Sequence, residues 1–315
     1  LYEKCQSCIR LNNELSEWFD ITKGVRQGDN LSPTLFNIYL NDLINGLNNL
    51  NCGIHINGKN ICLLAYADDL VLLAKSEQDL QVMLNFLSEW CKNWRLVVNI
   101  DKTKVMHFRK KRQKCTDFSF YISGKKIDIT SQYRYLGVTI DEHLTFDSHT
   151  HLLANSAGRA LGKVISKFKS IRDVGYQTYK KMYESGVDPI MLYCASVWGY
   201  KNHEVLNKVP NRAFRWFLGV NPKTPIPGLW GEFGWLPNKV KRCFVIFRYW
   251  NRLLGMSDDR LAKIVFNWDY NRNNNNWSYE IGHLFHLINM QETFEQLNLC
   301  DMEIVQQRFE TEICS

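Results

Sequence analysis

Two adjacent carboxylates, Asp68 and Asp69, interrupt an apolar run that extends from Ile61 to Ala74. A buried carboxylate without a partner is strongly unfavourable, so the fold must place this pair at a surface turn or against a cation. Two short apolar strands joined by a tight turn meet that requirement and predict a hairpin with both carboxylates at its tip. Such a pair is suited to Mg²⁺, which proteins usually hold through one or two carboxylates plus substrate phosphates. The alternative is an ordinary hairpin turn rich in aspartate.

Four segments of the chain, taken in order and spacing, carry more information than the aspartate pair alone. They are Lys23–Pro33, Tyr66–Asp69, Asn99–Lys104 and Tyr133–Val138. With their flanks, they resemble four boxes of the reverse transcriptases of non-LTR (LINE-type) retrotransposons. In that family the second is the catalytic box, the third carries a lysine, and the fourth is the primer grip. The resemblance covers residues 1–240 and is most specific over residues 23–140.

This resemblance implies an RNA-directed DNA polymerase, which adds deoxynucleotides to a DNA primer on an RNA template. The chemistry is phosphoryl transfer at a two-ion Mg²⁺ site. By resemblance, Asp68 binds the metals and Asp69 supports the site from the next position. Gln27 and Gly28 line the pocket for the incoming nucleotide and template base, where a glycine permits close backbone approach. Tyr66 packs beneath the hairpin, touches the sugar of the last primer nucleotide, or does both.

Two further boxes supply the remaining candidate residues. Lys102 stands where the family places a lysine near the leaving pyrophosphate, where an ammonium stabilises developing charge or donates a proton. Lys104 is an alternative, and either residue could be an ordinary surface lysine. Tyr135, Leu136 and Gly137 match the primer grip, although as plain sequence they are only a strand that ends at a glycine.

The sequence lacks one box of the family, a Phe-x-x-Ala-Phe-Asp-like strand that carries the first catalytic aspartate. Trp18-Phe19-Asp20 lies instead in the polar lead-in to the Lys23–Pro33 segment. We therefore expect the C-terminal part of a longer polymerase, inactive alone, with one aspartate ligand and any endonuclease segment upstream. A non-catalytic nucleic-acid-binding remnant is the alternative. A group II intron maturase is a third reading and ranks lower.

Positive charge is unevenly placed along the chain, which has 39 basic and 32 acidic residues and a net charge of +7. Runs of this kind usually form a solvated face, but beside polymerase boxes they favour phosphate contact. The residues predicted to contact the nucleic-acid backbone are Arg109, Lys110, Lys111, Arg112, Lys163 and Lys167. The acidic C-terminal segment is not expected to bind nucleic acid.

The apolar runs are too short to span a bilayer, and we expect a soluble intracellular protein of the nucleus and cytoplasm without a membrane partner. Scattered cysteines are expected to be reduced thiols. A zinc site built from His283, His286, Cys300 and Cys314 is disfavoured because the spacing fits no common pattern.

Helix signals organise the chain into an α+β fold. Ser32 with Pro33 predicts an N-cap and first turn, and Ser76–Asp79 predicts a capping box for a second helix. Apolar residues at helical spacing predict that the first helix packs on the sheet and that Trp90 and Trp94 of the second lie in the core. The predicted architecture is a right-hand polymerase palm of antiparallel sheet and helices, followed by a mostly helical thumb-like region. Its expected domains are 1–144 (partial fingers and palm), 145–270 (helical thumb-like region) and 271–315 (flexible polar connector and acidic segment).

Overall fold

The computed structural model describes residues 5–22, 24–26, 28–171, 174–272 and 274–313. The chain separates into two compact units, one of residues 1–104 and 117–128 and the other of residues 105–116 and 129–315. The predicted domain division at residue 144 stays a prediction. Both contain helices and antiparallel strand pairs, so the predicted mixture of helices with small antiparallel sheets is confirmed.

The first unit combines short antiparallel strand pairs with two long helices. Strands β1 and β4, β2 and β3, β5 and β6, β7 and β8, and β10 and β11 pair antiparallel. The chain passes from one unit to the other three times, within β9, between residues 116 and 117, and at the end of β11. The elements are β1 (Gln6–Ser7), β2 (Arg10–Leu11), β3 (Glu14–Leu15), β4 (Phe19–Asp20), α1 (Ser32–Asn49), β5 (Ile54–Ile56), β6 (Lys59–Ile61), β7 (Leu63–Tyr66), β8 (Asp69–Leu72), α2 (Glu77–Asn93), β9 (Lys104–Val105), β10 (Phe120–Ile122) and β11 (Lys125–Ile129).

Helix α1 buries one apolar face, with Leu40, Leu43 and Leu47 at the spacing of a helical stripe. Pro33 lies in the first turn, where its missing N–H is not needed. Ser32 is itself the first helical residue, so its hydroxyl does not cap the helix as predicted. It donates instead to the carbonyl oxygen of Arg26, 2.6 Å away, and ties the preceding loop to the helix.

Helix α2 begins as its sequence predicts, because the Ser76 hydroxyl accepts a hydrogen bond from the Asp79 N–H at 3.1 Å. Trp90 is buried, but Trp94 lies just past the end of the helix and is 39% exposed, so its assignment to the core is wrong. Trp94 stacks on Trp90 and packs edge-on against Tyr39 of α1, whose hydroxyl donates to the Trp94 carbonyl oxygen at 2.7 Å. These aromatic rings therefore join the two helices at the rim of the core.

The second unit is mostly helical, with one hairpin at its start and a 3-10 turn at Glu204–Asn207. Its elements are β12 (Gln132–Tyr135), β13 (Val138–Asp141), α3 (Asp147–Lys169), α4 (Tyr176–Gly186), α5 (Asp188–Met191), α6 (Ala195–Trp198), α7 (Lys208–Leu218), α8 (Ile226–Phe233), α9 (Asn238–Leu254), α10 (Leu261–Arg272), α11 (Trp277–Leu287), α12 (Gln291–Glu295) and α13 (Met302–Ile313).

Two apolar clusters hold the second unit together. The first is built from α3 to α8 and includes the fully buried Trp198, and the second is built from α9 to α13 around Trp250. Of the predicted connector at 271–276, residues 271 and 272 end α10, and residues 274–276 lead into α11. Asn276 caps α11 by accepting the Tyr279 N–H at 2.9 Å. In the acidic segment, Phe309 of α13 is fully buried.

In the part of the chain that the structure describes, no helix has both the length and the apolar character needed to cross a membrane.

Candidate functional site

The aspartate pair lies at the tip of the β7–β8 hairpin, as predicted. Tyr66 pairs directly with Asp69, so only Ala67 and Asp68 form the loop, and Ala67 has a left-handed backbone with φ of 50°. That conformation is unfavourable for an L residue, and the favoured two-residue hairpin loops require positive φ. The side chains of Asp68 and Asp69 are both exposed. The hairpin therefore presents two neighbouring carboxylates to solvent from a short, tightly specified turn.

The base of this hairpin is held by buried groups next to helix α1. Beyond the paired strands, the Leu73 N–H donates to the Cys62 carbonyl oxygen at 2.8 Å and extends the ladder. The buried Cys62 thiol contacts the side-chain oxygen of Asn48 in α1 at 3.1 Å, and burial raises the pKa of this thiol. The tip is thus exposed while its base is fixed.

Tyr66 was expected either to pack beneath the hairpin or to face a primer sugar. Its side chain is 65% exposed, so the packing alternative is wrong. The exposed ring is compatible with the other alternative, contact with nucleic acid, which stays a prediction.

The loop that precedes α1 is ordered by its own hydrogen bonds. The Asp29 carboxylate accepts the Leu31 N–H at 3.2 Å, and the Arg26 carbonyl accepts the Ser32 hydroxyl. Gly28 has φ of +85°, and a Cβ atom added there would meet no protein atom within 4 Å. Within the protein, glycine is therefore required by the backbone conformation and not by a close neighbour. Gln27, the other predicted pocket residue, lies outside the described residues.

Lys102 belongs to a compact turn. The side-chain oxygen of Asn99 accepts the Lys102 N–H at 3.2 Å, and the Asn99 carbonyl accepts the hydroxyl of Thr103 at 2.8 Å. The alternative, Lys104, places its ammonium 2.7 Å from the carboxylate of Asp128. That hydrogen bond lowers the pKa of Asp128. Lys104 is thus engaged by a neighbouring strand, and the choice between Lys102 and Lys104 stays a prediction.

The Tyr135–Gly137 segment lies in the second unit, at the tip of the β12–β13 hairpin. Tyr135 pairs with Val138, and the two loop residues, Leu136 and Gly137, have φ of 45° and 84°. The predicted strand ending at a glycine is thus a hairpin whose two loop residues are both left-handed. This pattern is typical of a type I′ turn, which favours asparagine or glycine. Leu136 is an unusual residue at the first of these positions.

The predicted phosphate-contacting residues differ in their surroundings. Arg109 is half-buried and donates to the carboxylate of Glu142 at 2.9 Å, so its guanidinium stabilises its own loop. Lys110, Lys111 and Arg112 are exposed.

On helix α3, exposed Arg159, Lys163 and Lys167 follow one another at intervals of four residues along one face. Because a helix rises about 1.5 Å per residue, neighbouring members of this row are roughly 6 Å apart along the axis. We call these three residues the α3 basic row.

The sequence did not indicate Tyr193, whose hydroxyl donates to the carbonyl oxygen of Leu136 at 2.7 Å. The contact joins residues 57 positions apart, and no local pattern marks such a pair. Among the described residues, no group of three histidine, cysteine, aspartate or glutamate side chains is placed to hold a metal ion. Cys314, part of the disfavoured zinc set, lies outside those residues.

Residues 2–140 match the family described as "Reverse transcriptase (RNA-dependent DNA polymerase)". A probable RNA-directed DNA polymerase from transposon BS of Drosophila melanogaster is 30% identical over 219 residues, which cover 66% of this chain and 23% of that protein. The RNA-directed DNA polymerase from mobile element jockey of Drosophila funebris is 29% identical over 195 residues, 60% of this chain and 21% of the relative. The Pol polyprotein from the type-2 retrotransposable element R2DM of Drosophila melanogaster is 35% identical over 130 residues, 39% of this chain and 12% of the relative. The chain thus spans less than a quarter of the length of these relatives, and the predicted resemblance is confirmed.

Proposed function

Because residues 2–140 match the reverse transcriptase family, we propose that this chain is part of an RNA-directed DNA polymerase that copies a non-LTR retrotransposon. The observation that carries the proposal is the exposed Asp68–Asp69 pair, held at the tip of a short hairpin inside the matched region. A solvated structural turn would not require two neighbouring carboxylates at the tip of so short a hairpin. In this proposal the first unit belongs to the palm and the helices of the second unit form the thumb.

The donor set fits a hard divalent cation. Carboxylate oxygens are the ligands that Mg²⁺ prefers, and substrate phosphates and water complete its shell. Bound there, Mg²⁺ supplies the charge that stabilises the attacking and leaving oxygens of phosphoryl transfer. Asp68 binds the cation, Asp69 supports the site from the next position, and a further aspartate comes from another segment of the polymerase. Lys102 stabilises the charge that develops on the leaving pyrophosphate.

The remaining residues of the matched region position the substrates. The loop at Gly28, with Gln27 beside it, lines the pocket for the nucleotide and the template base. The exposed ring of Tyr66 contacts the sugar at the primer end. The β12–β13 turn acts as the primer grip.

The α3 basic row supports backbone contact in the second unit. Its spacing of roughly 6 Å allows successive cations to reach successive phosphates of one strand. Lys110, Lys111 and Arg112 add a second exposed group of like charge. Arg109 is the weakest member of the predicted set because Glu142 already neutralises it.

The test of the aspartate pair is primer extension on an RNA template with Mg²⁺ and deoxynucleotides, in a polymerase long enough to be active. Asp68→Asn removes the charge with little change in shape, and extension is expected to be lost while binding to the primer–template duplex persists. Asp42→Asn, which alters an exposed carboxylate on α1, is the matched control. Extension that survives Asp68→Asn would overturn the site assignment.

A second comparison separates the polymerase from a binding remnant. The 315-residue chain and a version extended upstream are assayed side by side. Extension by the longer version alone supports the proposal that a further segment completes the aspartate set. Duplex binding without extension in either version favours the non-catalytic alternative.

The α3 basic row is tested through the salt dependence of duplex binding. Lys163→Gln with Lys167→Gln is expected to flatten the slope of log affinity against log salt by about 0.7 to 0.9 per lost phosphate contact. Lys223→Gln with Lys239→Gln removes the same charge from two other exposed lysines of this unit. Equal slopes in the two double variants would make the row an ordinary solvated face.

A further inference from the structure

The turn proposed as the primer grip is held in a conformation that its own sequence disfavours. Leu136 has a left-handed backbone, which L side chains rarely adopt, and its side chain is 39% exposed. Burial of the leucine side chain therefore contributes little free energy to offset the strain of this backbone conformation. Residues with a strained backbone persist where contacts from the surrounding structure hold them in place, and they cluster at functional sites. Something outside the hairpin must stabilise this turn.

Tyr193 is the residue that does so. Its hydroxyl donates to the carbonyl oxygen of Leu136 at 2.7 Å, which fixes the peptide at the centre of the turn. Its ring lies directly against Gly137, because a Cβ atom added there would come within 3.0 Å of Cε1 and 3.1 Å of the hydroxyl oxygen. Gly137 is thus favoured by its backbone conformation, and a side chain there would press on the tyrosine ring. The ring is 45% exposed, so this contact lies at the surface and not in the core.

Tyr193 is itself firmly anchored. Its carbonyl oxygen accepts the indole N–H of the fully buried Trp198 at 3.0 Å, and the next residue, Cys194, has a left-handed φ of 52°. The same indole meets the ring of His149 edge-on, with 5.5 Å between centroids. Nδ1 of His149 accepts the Thr139 N–H of β13 at 3.3 Å. The hairpin is therefore tied at its tip and along β13 to groups that share one buried tryptophan.

We propose that Tyr193 is a positioning residue for the primer terminus: it locks the Leu136–Gly137 turn in the geometry that receives the recessed 3′ end of a primer strand. This rests on the proposed function, because only a polymerase has a primer end to receive. Tyr193 acts through the turn backbone and is not assigned a contact with the reacting atoms. Its hydroxyl and its ring have separate tasks, the first on the Leu136 carbonyl and the second against Gly137.

The decisive variant is Tyr193→Phe, which removes the hydroxyl and keeps the ring against Gly137. Tyr176→Phe is the matched control, since its hydroxyl also donates to a backbone carbonyl in the same unit, that of Phe233 at the end of α8. Amide hydrogen exchange over residues 132–141 of the 315-residue chain is measured first. Exchange is expected to speed up by about 2- to 10-fold in Tyr193→Phe, the range for one neutral hydrogen bond, and to stay unchanged in Tyr176→Phe. Unchanged exchange in Tyr193→Phe would overturn the proposal that the Tyr193 hydroxyl holds this turn.

The second measurement separates positioning from simple stabilisation. Affinity is compared for a primer–template with a recessed 3′ end and for a blunt duplex of the same length. Tyr193→Phe is expected to reduce the preference for the recessed end by about 2- to 10-fold and to leave blunt-duplex affinity unchanged. In the active polymerase, the rate of primer extension falls by the same factor while the nucleotide KM is unchanged.

The outcomes distinguish this proposal from the function on which it rests. Faster exchange with an unaltered end preference would overturn the positioning role and leave Tyr193 a structural anchor. A wild-type polymerase that shows no extension and no preference for a recessed end would overturn the proposed function itself, whatever the exchange result.

Discussion

Acid should weaken the second unit through His149, which is buried on α3 against Trp198. Burial, with smaller contributions from Arg134 of β12 and from His203, lowers the pKa of His149 from 6.5 to about 4. The neutral ring can accept the Thr139 N–H through Nδ1, and a protonated ring cannot. As the pH falls below 6.5, His149 takes up a proton in the unfolded chain. In the folded chain the same residue is not protonated until about pH 4. The stabilisation of the folded state by neutral His149 is therefore complete above about pH 6.5 and is lost as the pH falls from there to about 4.

The size of the effect follows from the pKa difference. One pKa unit corresponds to about 1.4 kcal/mol, so the full window corresponds to roughly 3 kcal/mol. Between about pH 7 and about pH 4.5, roughly 2.5 kcal/mol of unfolding free energy should be lost through His149. Burial also lowers the pKa of His203, and Arg242 adds to this shift while Asp147, 3.7 Å away, opposes it. A comparison of variants is therefore needed to isolate His149.

The assay is urea unfolding across this pH range, followed by tryptophan fluorescence. His149→Asn keeps an acceptor near the position of Nδ1 and does not titrate, so it is expected to be less stable near neutral pH but to lose less stability on acidification. The exposed His151, two residues along the same helix, provides the control His151→Asn, which should follow the wild type. Parallel loss of stability in the wild type and in His149→Asn would refute the reasoning.

Three further substitutions test the packing of the two units. Ser76→Ala removes the cap of α2 and should cost about 1 kcal/mol, seen as a lower urea midpoint; an unchanged midpoint would show that the cap contributes nothing. Lys241→Met leaves the buried carboxylate of Asp188 without its partner and should cost about 3 to 5 kcal/mol, and adding Asp188→Asn should recover part of that loss; no recovery would contradict a charge effect. Gly53→Ala places a Cβ atom 2.6 Å from the Ile61 carbonyl oxygen and should cost about 1 to 3 kcal/mol by thermal unfolding, whereas a neutral result would mean that β6 yields easily.

Local chemistry accounts for the features that could be predicted from the sequence. The Asp68–Asp69 hairpin follows from two charges inside an apolar run, since only a surface turn accommodates them. The start of α2 follows from Ser76, whose hydroxyl accepts the backbone N–H of Asp79 three residues later. Both signals depend on neighbours along the chain, so no knowledge of the tertiary structure is needed.

Features set by distant partners could not be predicted. Polar composition at residues 271–276 indicates a connector, but the helices on either side are fixed by packing in the Trp250 cluster. Trp94 continues an apolar stripe, yet the helix ends one residue earlier and the ring turns toward Tyr39. In the candidate site, the contact of Tyr193 with the β12–β13 turn depends on a hydroxyl whose acceptor, the Leu136 carbonyl oxygen, is 57 residues away in sequence.

The long reach of the Tyr193 contact has a consequence for synthesis of the chain. Leu136, in the turn of the β12–β13 hairpin, is synthesised 57 residues before the tyrosine that fixes this turn. At about 5 to 20 residues per second, this delay is roughly 3 to 11 seconds. During that time the two strands can pair, but the left-handed Leu136 has no external support, and the indole that orients Tyr193 is made later still. The nascent chain thus acquires its strand pairing first and the final shape of this turn only when translation has passed Trp198.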